Sequence, residues 1–154
     1  MRRIVLAVVL VVAASGLANA APKGKNVGDA EKWRESEDML KRNDKSASAA
    51  CDTNLTIAYD VPSFGDMSLD EAKPADVYCR DAYNALWGAV CKSPEGKEAV
   101  KKKVTAVSCR FSKNGTGVKL EGKTLVVDVD PKKKEIDGAV PGGAVWSRVI
   151  KSVL

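Results

Sequence analysis

Residues 51–154 predict an α+β domain stapled by two disulfides. Two kinds of periodicity and one count carry this expectation. Apolar residues alternate with polar ones over Cys51–Tyr59 and Val104–Phe111, but recur at helical spacing over Ala75–Cys91 and Ala144–Leu154. The chain also has four cysteines, an even number with no C-x-x-C pair. The order expected is one strand, a helix pair, a three-stranded antiparallel meander and a C-terminal helix, preceded by an N-terminal helical arm.

The first segment addresses the chain rather than folding it. Met1-Arg2-Arg3 is a positive start, Ile4–Ala14 is apolar throughout, and Leu17-Ala18-Asn19-Ala20 ends on small residues at Ala18 and Ala20. That is the pattern of a secretory signal peptide over residues 1–20, cut after Ala20. The apolar run of 11 residues is short of a membrane span, which needs roughly 20. Export to the periplasm or the extracellular space is therefore expected, with Ala21 as the mature N-terminus and 134 of the 154 residues remaining. Arg2 and Arg3 would leave with the leader and no acid would, so the formal charge falls from +5 to +3. So mild a balance neither requires nor forbids a polyanionic partner.

The elements follow in order. Residues 21–50 read as an arm and linker: Val27–Asn43 has helical composition with a thin apolar stripe (Ala30, Trp33, Leu40), and Asp44–Ala50 has the small polar composition of a linker. In the strand expected over Cys51–Tyr59, Cys51, Thr53, Leu55, Ile57 and Tyr59 share one face. Asp60–Lys73 reads as a loop, and Pro74 is expected to interrupt any helix starting there. Over Ala75–Cys91 the residues Cys79, Ala82, Tyr83, Leu86 and Val90 fall on one helical face. Ser93-Pro94-Glu95 then starts a second helix, with serine as cap, proline first and an acid in the first turn. Strands are expected over Val104–Phe111, Val118–Leu120 and Thr124–Val129, joined by turns at Asn114-Gly115 and Gly122. Val145, Trp146, Val149, Ile150 and Val153 make the stripe of the closing helix.

In an exported domain, Cys51, Cys79, Cys91 and Cys109 are expected as two structural disulfides. One of the three pairings is excluded. Cys79 and Cys91 sit twelve residues apart on one expected helix, about 18 Å along its axis, whereas bridged Cα atoms lie within about 7 Å. Cys51–Cys79 with Cys91–Cys109, and Cys51–Cys91 with Cys79–Cys109, both remain.

The chain contains no histidine. Ser-His-Asp and Cys-His catalysis and histidine metal sites are thereby excluded. Asp60, Asp66, Asp70, Glu71 and Asp76 surround a loop, but their spacing matches no calcium loop. They leave a small carboxylate-dependent hydrolase as the alternative reading. The triplets Lys101, Lys102, Lys103 and Lys132, Lys133, Lys134, together with Lys97, Lys113, Lys119 and Lys123, offer a weak, salt-sensitive polyanion contact. No cofactor or metal is expected. The function expected is that of an exported, non-catalytic domain, soluble after processing, that binds a protein or cell-envelope component.

Overall fold

The computed structural model describes residues 27–64, 69–133 and 135–154, and for 27–33, 43 and 69–72 it describes the backbone alone. The expected leader over residues 1–20 lies outside the described residues. Among those described, no helix is long and apolar enough to cross a membrane.

The elements run α1 (Val27–Cys51), β1 (Thr56–Tyr59), a 3₁₀ turn (Val61–Phe64), α2 (Leu69–Ala85), a π-helical segment (Leu86–Val90), α3 (Pro94–Lys103), β2 (Ala106–Phe111), β3 (Gly117–Glu121), β4 (Thr124–Val129) and α4 (Gly143–Val153). The α+β class and the two disulfides agree with expectation. The sheet does not: it is four-stranded and mixed, in the order β1-β2-β4-β3. β1, β2 and β4 are mutually parallel, and only β3 and β4 pair antiparallel.

The expected antiparallel meander fails at its first turn. A two-residue Asn-Gly hairpin needs positive φ at both positions, and only Gly115, at φ 118°, has it. Ser112–Thr116 is a wider loop that leaves room for β4 to enter between β2 and β3. β4 takes the inner place because its apolar run covers both faces: Leu125, Val126 and Val127 are consecutively buried. Such unbroken apolar runs belong to inner parallel strands. The Gly122 turn closes as expected, with φ 61° at the first of two loop residues.

Three other boundaries move. The segment read as a linker, Asp44–Ala50, is helical, and Leu40, Ala47 and Cys51 of α1 are buried in the core. Its small residues are alanines and serines, which allow close approach to β1 as readily as they allow flexibility. Cys51 thus ends a helix instead of opening a strand. Asp52, at φ 52°, is the left-handed residue that stops it, with the Thr53 amide donating to Ser48 O at 3.1 Å. Finally, α2 begins before Pro74 and carries it near its start. As the sixth residue it lies just beyond the unpaired first amides, so the ring forfeits one helical bond, and the helix continues past it to Ala85.

α2 and α4 pack on one sheet face, and α1 lies along β1. That face presents Ile57, Tyr59, Val107, Cys109, Leu125, Val127 and Val129 to Cys79, Tyr83, Leu86, Val90, Trp146 and Ile150, all buried. The disulfides are Cys51–Cys91 and Cys79–Cys109, one of the two pairings left open, with Cα separations of 4.9 and 5.9 Å. One ties the end of α1 to the residue after the π segment; the other ties α2 to β2. The start of α3 is as expected, with Ser93 Oγ accepting the Gly96 amide at 3.0 Å and Pro94 in the first turn.

Candidate functional site

Three parallel strands deliver three loops to one end of the sheet. In open sheets of this kind, ligands bind beyond the carboxyl ends of the strands. Here those ends are Tyr59, Phe111 and Val129, and the loops that follow are 60–64, 112–116 and 130–133.

Hydrogen bonds fasten these loops to the strands and to one another. The Asp60 amide donates to Cys109 O at 2.8 Å. Ser63 Oγ accepts the Phe111 amide at 2.8 Å and donates to Asp60 O at 2.6 Å. The Ser112 amide donates to Val129 O at 3.0 Å. Asp130, buried at 5% exposure, accepts the Lys132 amide on Oδ1 at 2.9 Å. Thr116 Oγ1 accepts the Asp130 amide at 3.0 Å and donates to Lys133 O at 2.9 Å. Lys133 Nζ reaches Lys113 O at 3.3 Å.

The result is a fixed backbone carrying three exposed lysines, Lys113, Lys132 and Lys133. Beside them is a shallow cleft of about 220 Å³, lined by Ser112, Asn114, Thr116, Lys119 and Asp128 among others. Within the cleft Lys119 is paired to Asp128 and the Thr116 hydroxyl donates to Lys133 O, so the groups left to hold an anion by charge and hydrogen bonding are the ammoniums of Lys113, Lys132 and Lys133 at its rim. Glu135 and Asp137 follow on the same loop and temper the field.

The expected lysines do not form one surface. Lys101, Lys102 and Lys103 occupy the last turn of α3, which leads into the start of β2. Lys132 and Lys133 follow the end of β4, which runs parallel to β2. The length of a six-residue strand, about 17 Å, therefore separates the two groups. Lys101 is moreover tied to Asp52 at 3.1 Å, which raises its pKa. Lys134 lies outside the described residues. Lys113 joins Lys132 and Lys133 only because the sheet order brings loop 112–116 beside loop 130–133.

Of the acids considered for hydrolysis, Asp66 lies outside the described residues, and Asp70 and Glu71 are described as backbone only. Asp76 accepts a hydrogen bond from the Tyr59 hydroxyl and pairs with Arg80 Nε at 3.2 Å. Tyr83, fully buried, donates to Ala58 O at 3.3 Å. Burial pushes both tyrosines well above the usual phenol range. Among the described residues, no group of three or more acids or cysteines is placed to hold a metal ion.

The outer sheet face carries a charge cluster that periodicity did not single out. Arg110 bonds Asp128 at 2.7 Å and Glu121 at 2.9 Å, while Lys119 bonds Asp128 at 3.0 Å and Glu121 at 3.2 Å. The four side chains surround Val126, which is buried although it points away from the helices. Alternation along each strand marks these residues as outward, but only the register of β4 against both neighbours makes them a ring.

Fold and site together define a two-layer α+β domain, stapled by disulfides, with three exposed lysines among acids at one end and one sheet face that no described helix covers. No family model, curated protein or solved structure matches this chain.

Proposed function

We propose that the chain is an exported, non-catalytic binding domain whose lysines at the carboxyl end of the sheet hold an anionic component of the cell envelope. The observation that carries this reading is the convergence of Lys113, Lys132 and Lys133 on two pinned loops, at the carboxyl ends of the neighbouring parallel strands β2 and β4. Two disulfides suit an oxidising compartment, and the leader pattern supplies the route. With a mature formal charge of only +3, contact is weak and electrostatic.

Heparin serves as the probe polyanion. The exported protein, whose intact mass should correspond to an Ala21 N-terminus, is retained at low salt. It elutes well below about 1 M, where the Debye length is roughly 3 Å. Replacing Lys113, Lys132 and Lys133 with glutamate abolishes retention, whereas replacing Lys101, Lys102 and Lys103 leaves most of it. Equal loss from both variants, or retention indifferent to salt, contradicts the reading.

A further inference from the structure

The two edges of the sheet are finished differently. At β1, the C-terminal half of α1 covers the free backbone: Ser48 Oγ accepts the Leu55 amide at 3.0 Å, and the Asp44 carboxylate faces the Ile57 amide. At the other edge, β3 makes no backbone hydrogen bond on its outer side among the described residues. An uncovered strand edge is a template for another strand.

β3 is also flanked by apolar surface on its helix side. Val118 and Leu120 are only partly buried, as are Val145, Val149 and Val153 of α4. On α4 these valines lie on the flank away from Ser147 and Lys151, which face Ala89 of the π segment. On the opposite, solvent side, β3 presents Lys119 and Glu121.

We propose that β3 docks against β3 of a second copy of this chain, antiparallel, with Leu120 on the two-fold axis. Charge selects both occupant and register. With Leu120 opposite itself, Lys119 of each copy stands across from Glu121 of the other, twice over. Centring the pair on Lys119 sets two lysines face to face, and centring it on Glu121 sets two glutamates; directly opposed like charges disfavour both. A one-residue slip would turn the apolar side of one strand onto the charged side of the other. In the selected register Leu120 meets its own copy on the helix side, and the valine flanks of α4 come together beside it. On the solvent side, the rings of Arg110, Lys119, Glu121 and Asp128 join into one strip of eight charges, balanced in sign. The contact is isologous and closed, so it ends at two copies.

Sedimentation of the disulfide-bonded chain tests this, over about 1 to 300 µM at about 50 mM salt, where charge is lightly screened. A reversible monomer–dimer equilibrium is expected. Lys119→Glu gives a strand with two acids and Glu121→Lys a strand with two lysines; each alone weakens self-association at least tenfold. Mixed one to one they re-form a dimer, because each supplies the charges the other lacks, and this recovery shows that both variants are folded. A chain monomeric at every concentration, its β3 edge left to some other strand, overturns the proposal. So does a dimer that Lys119→Glu leaves unchanged, or a mixture that fails to recover.

Discussion

The α-carbon of Gly96 lies directly beneath the carbonyl of Val90: a β-carbon built on Gly96 would stand 1.9 Å from that oxygen. The corner between the π segment and α3 is therefore closed backbone to backbone, with Ser93 capping the Gly96 amide across it. Gly88, only two residues before Val90, has nothing within 4 Å of the equivalent position.

The two glycines should thus respond oppositely to alanine. Gly96→Ala forces backbone apart and is expected to cost about 1–3 kcal/mol or more, the range for overpacking. Gly88→Ala, in a helical segment with open space, is expected to be neutral or to stabilise by up to about 1 kcal/mol. Urea unfolding of both variants reads this, and similar midpoints for the two would refute it.

Non-reducing peptide mapping should return Cys51–Cys91 and Cys79–Cys109 as the only bridges. Replacing either pair with alanine is expected to cost on the order of 2–4 kcal/mol, since each bridge restrains a long loop in the unfolded chain. The separations of 40 and 30 residues are similar enough for comparable losses. A Cys79–Cys91 peptide would mean that α2 and the π segment do not form one continuous rod.

Ser48→Ala removes the hydroxyl that caps the Leu55 amide at the covered sheet edge. The expected loss is about 1 kcal/mol, that of one uncharged hydrogen bond. Amide exchange should quicken at Leu55, while Val107 in the sheet interior keeps its protection. Unchanged exchange at Leu55 would show that the cap is dispensable.

Asp44 sits beside this edge, and burial, outweighing the Ile57 amide and Lys41, raises its carboxyl pKa. A carboxyl raised on folding binds its proton more tightly in the native state. Stability therefore falls as pH climbs from the ordinary carboxylate value of about 3.9 through the folded pKa. Asp44→Asn should flatten that decline. A steeper decline in the variant would reverse the assignment.

Glu121 has the opposite shift. Hydrogen bonds from Arg110 and Lys119 lower its pKa, so its contribution is present above the unfolded value and is lost as pH falls through the folded one. Glu121→Gln should shallow the acid limb of the stability curve at low salt. Because the group is exposed, the difference between variant and parent should vanish near 1 M salt. A difference that survives such salt would point to packing instead.

Local chemistry made much of this fold legible. Ser93-Pro94-Glu95 announces the start of α3 because capping, a fixed φ and an acid at the helix dipole all act within one turn. Cys79, Tyr83, Leu86 and Val90 announce a buried helical face because helical periodicity is a property of the segment itself. The same periodicity by itself excludes a Cys79–Cys91 bridge, because it sets the two cysteines far apart along one helical axis.

What lay beyond reach depends on elements distant in sequence. Asp44–Ala50 is helical because Ala47 and Ser48 have β1 to pack against; without that neighbour, alanine and serine are equally good linker residues. The place of β4 between β2 and β3 rests on which faces of Leu125, Val126 and Val127 find cover, and no local signal outranks an Asn-Gly pair until that cover exists. The lysines follow from the strand order: it sends Lys101–Lys103 to one end of the sheet and gathers Lys113, Lys132 and Lys133 at the other. Charge spacing along the chain is local, but a shared surface is made only when parallel strands bring loops from different parts of the chain to the same end.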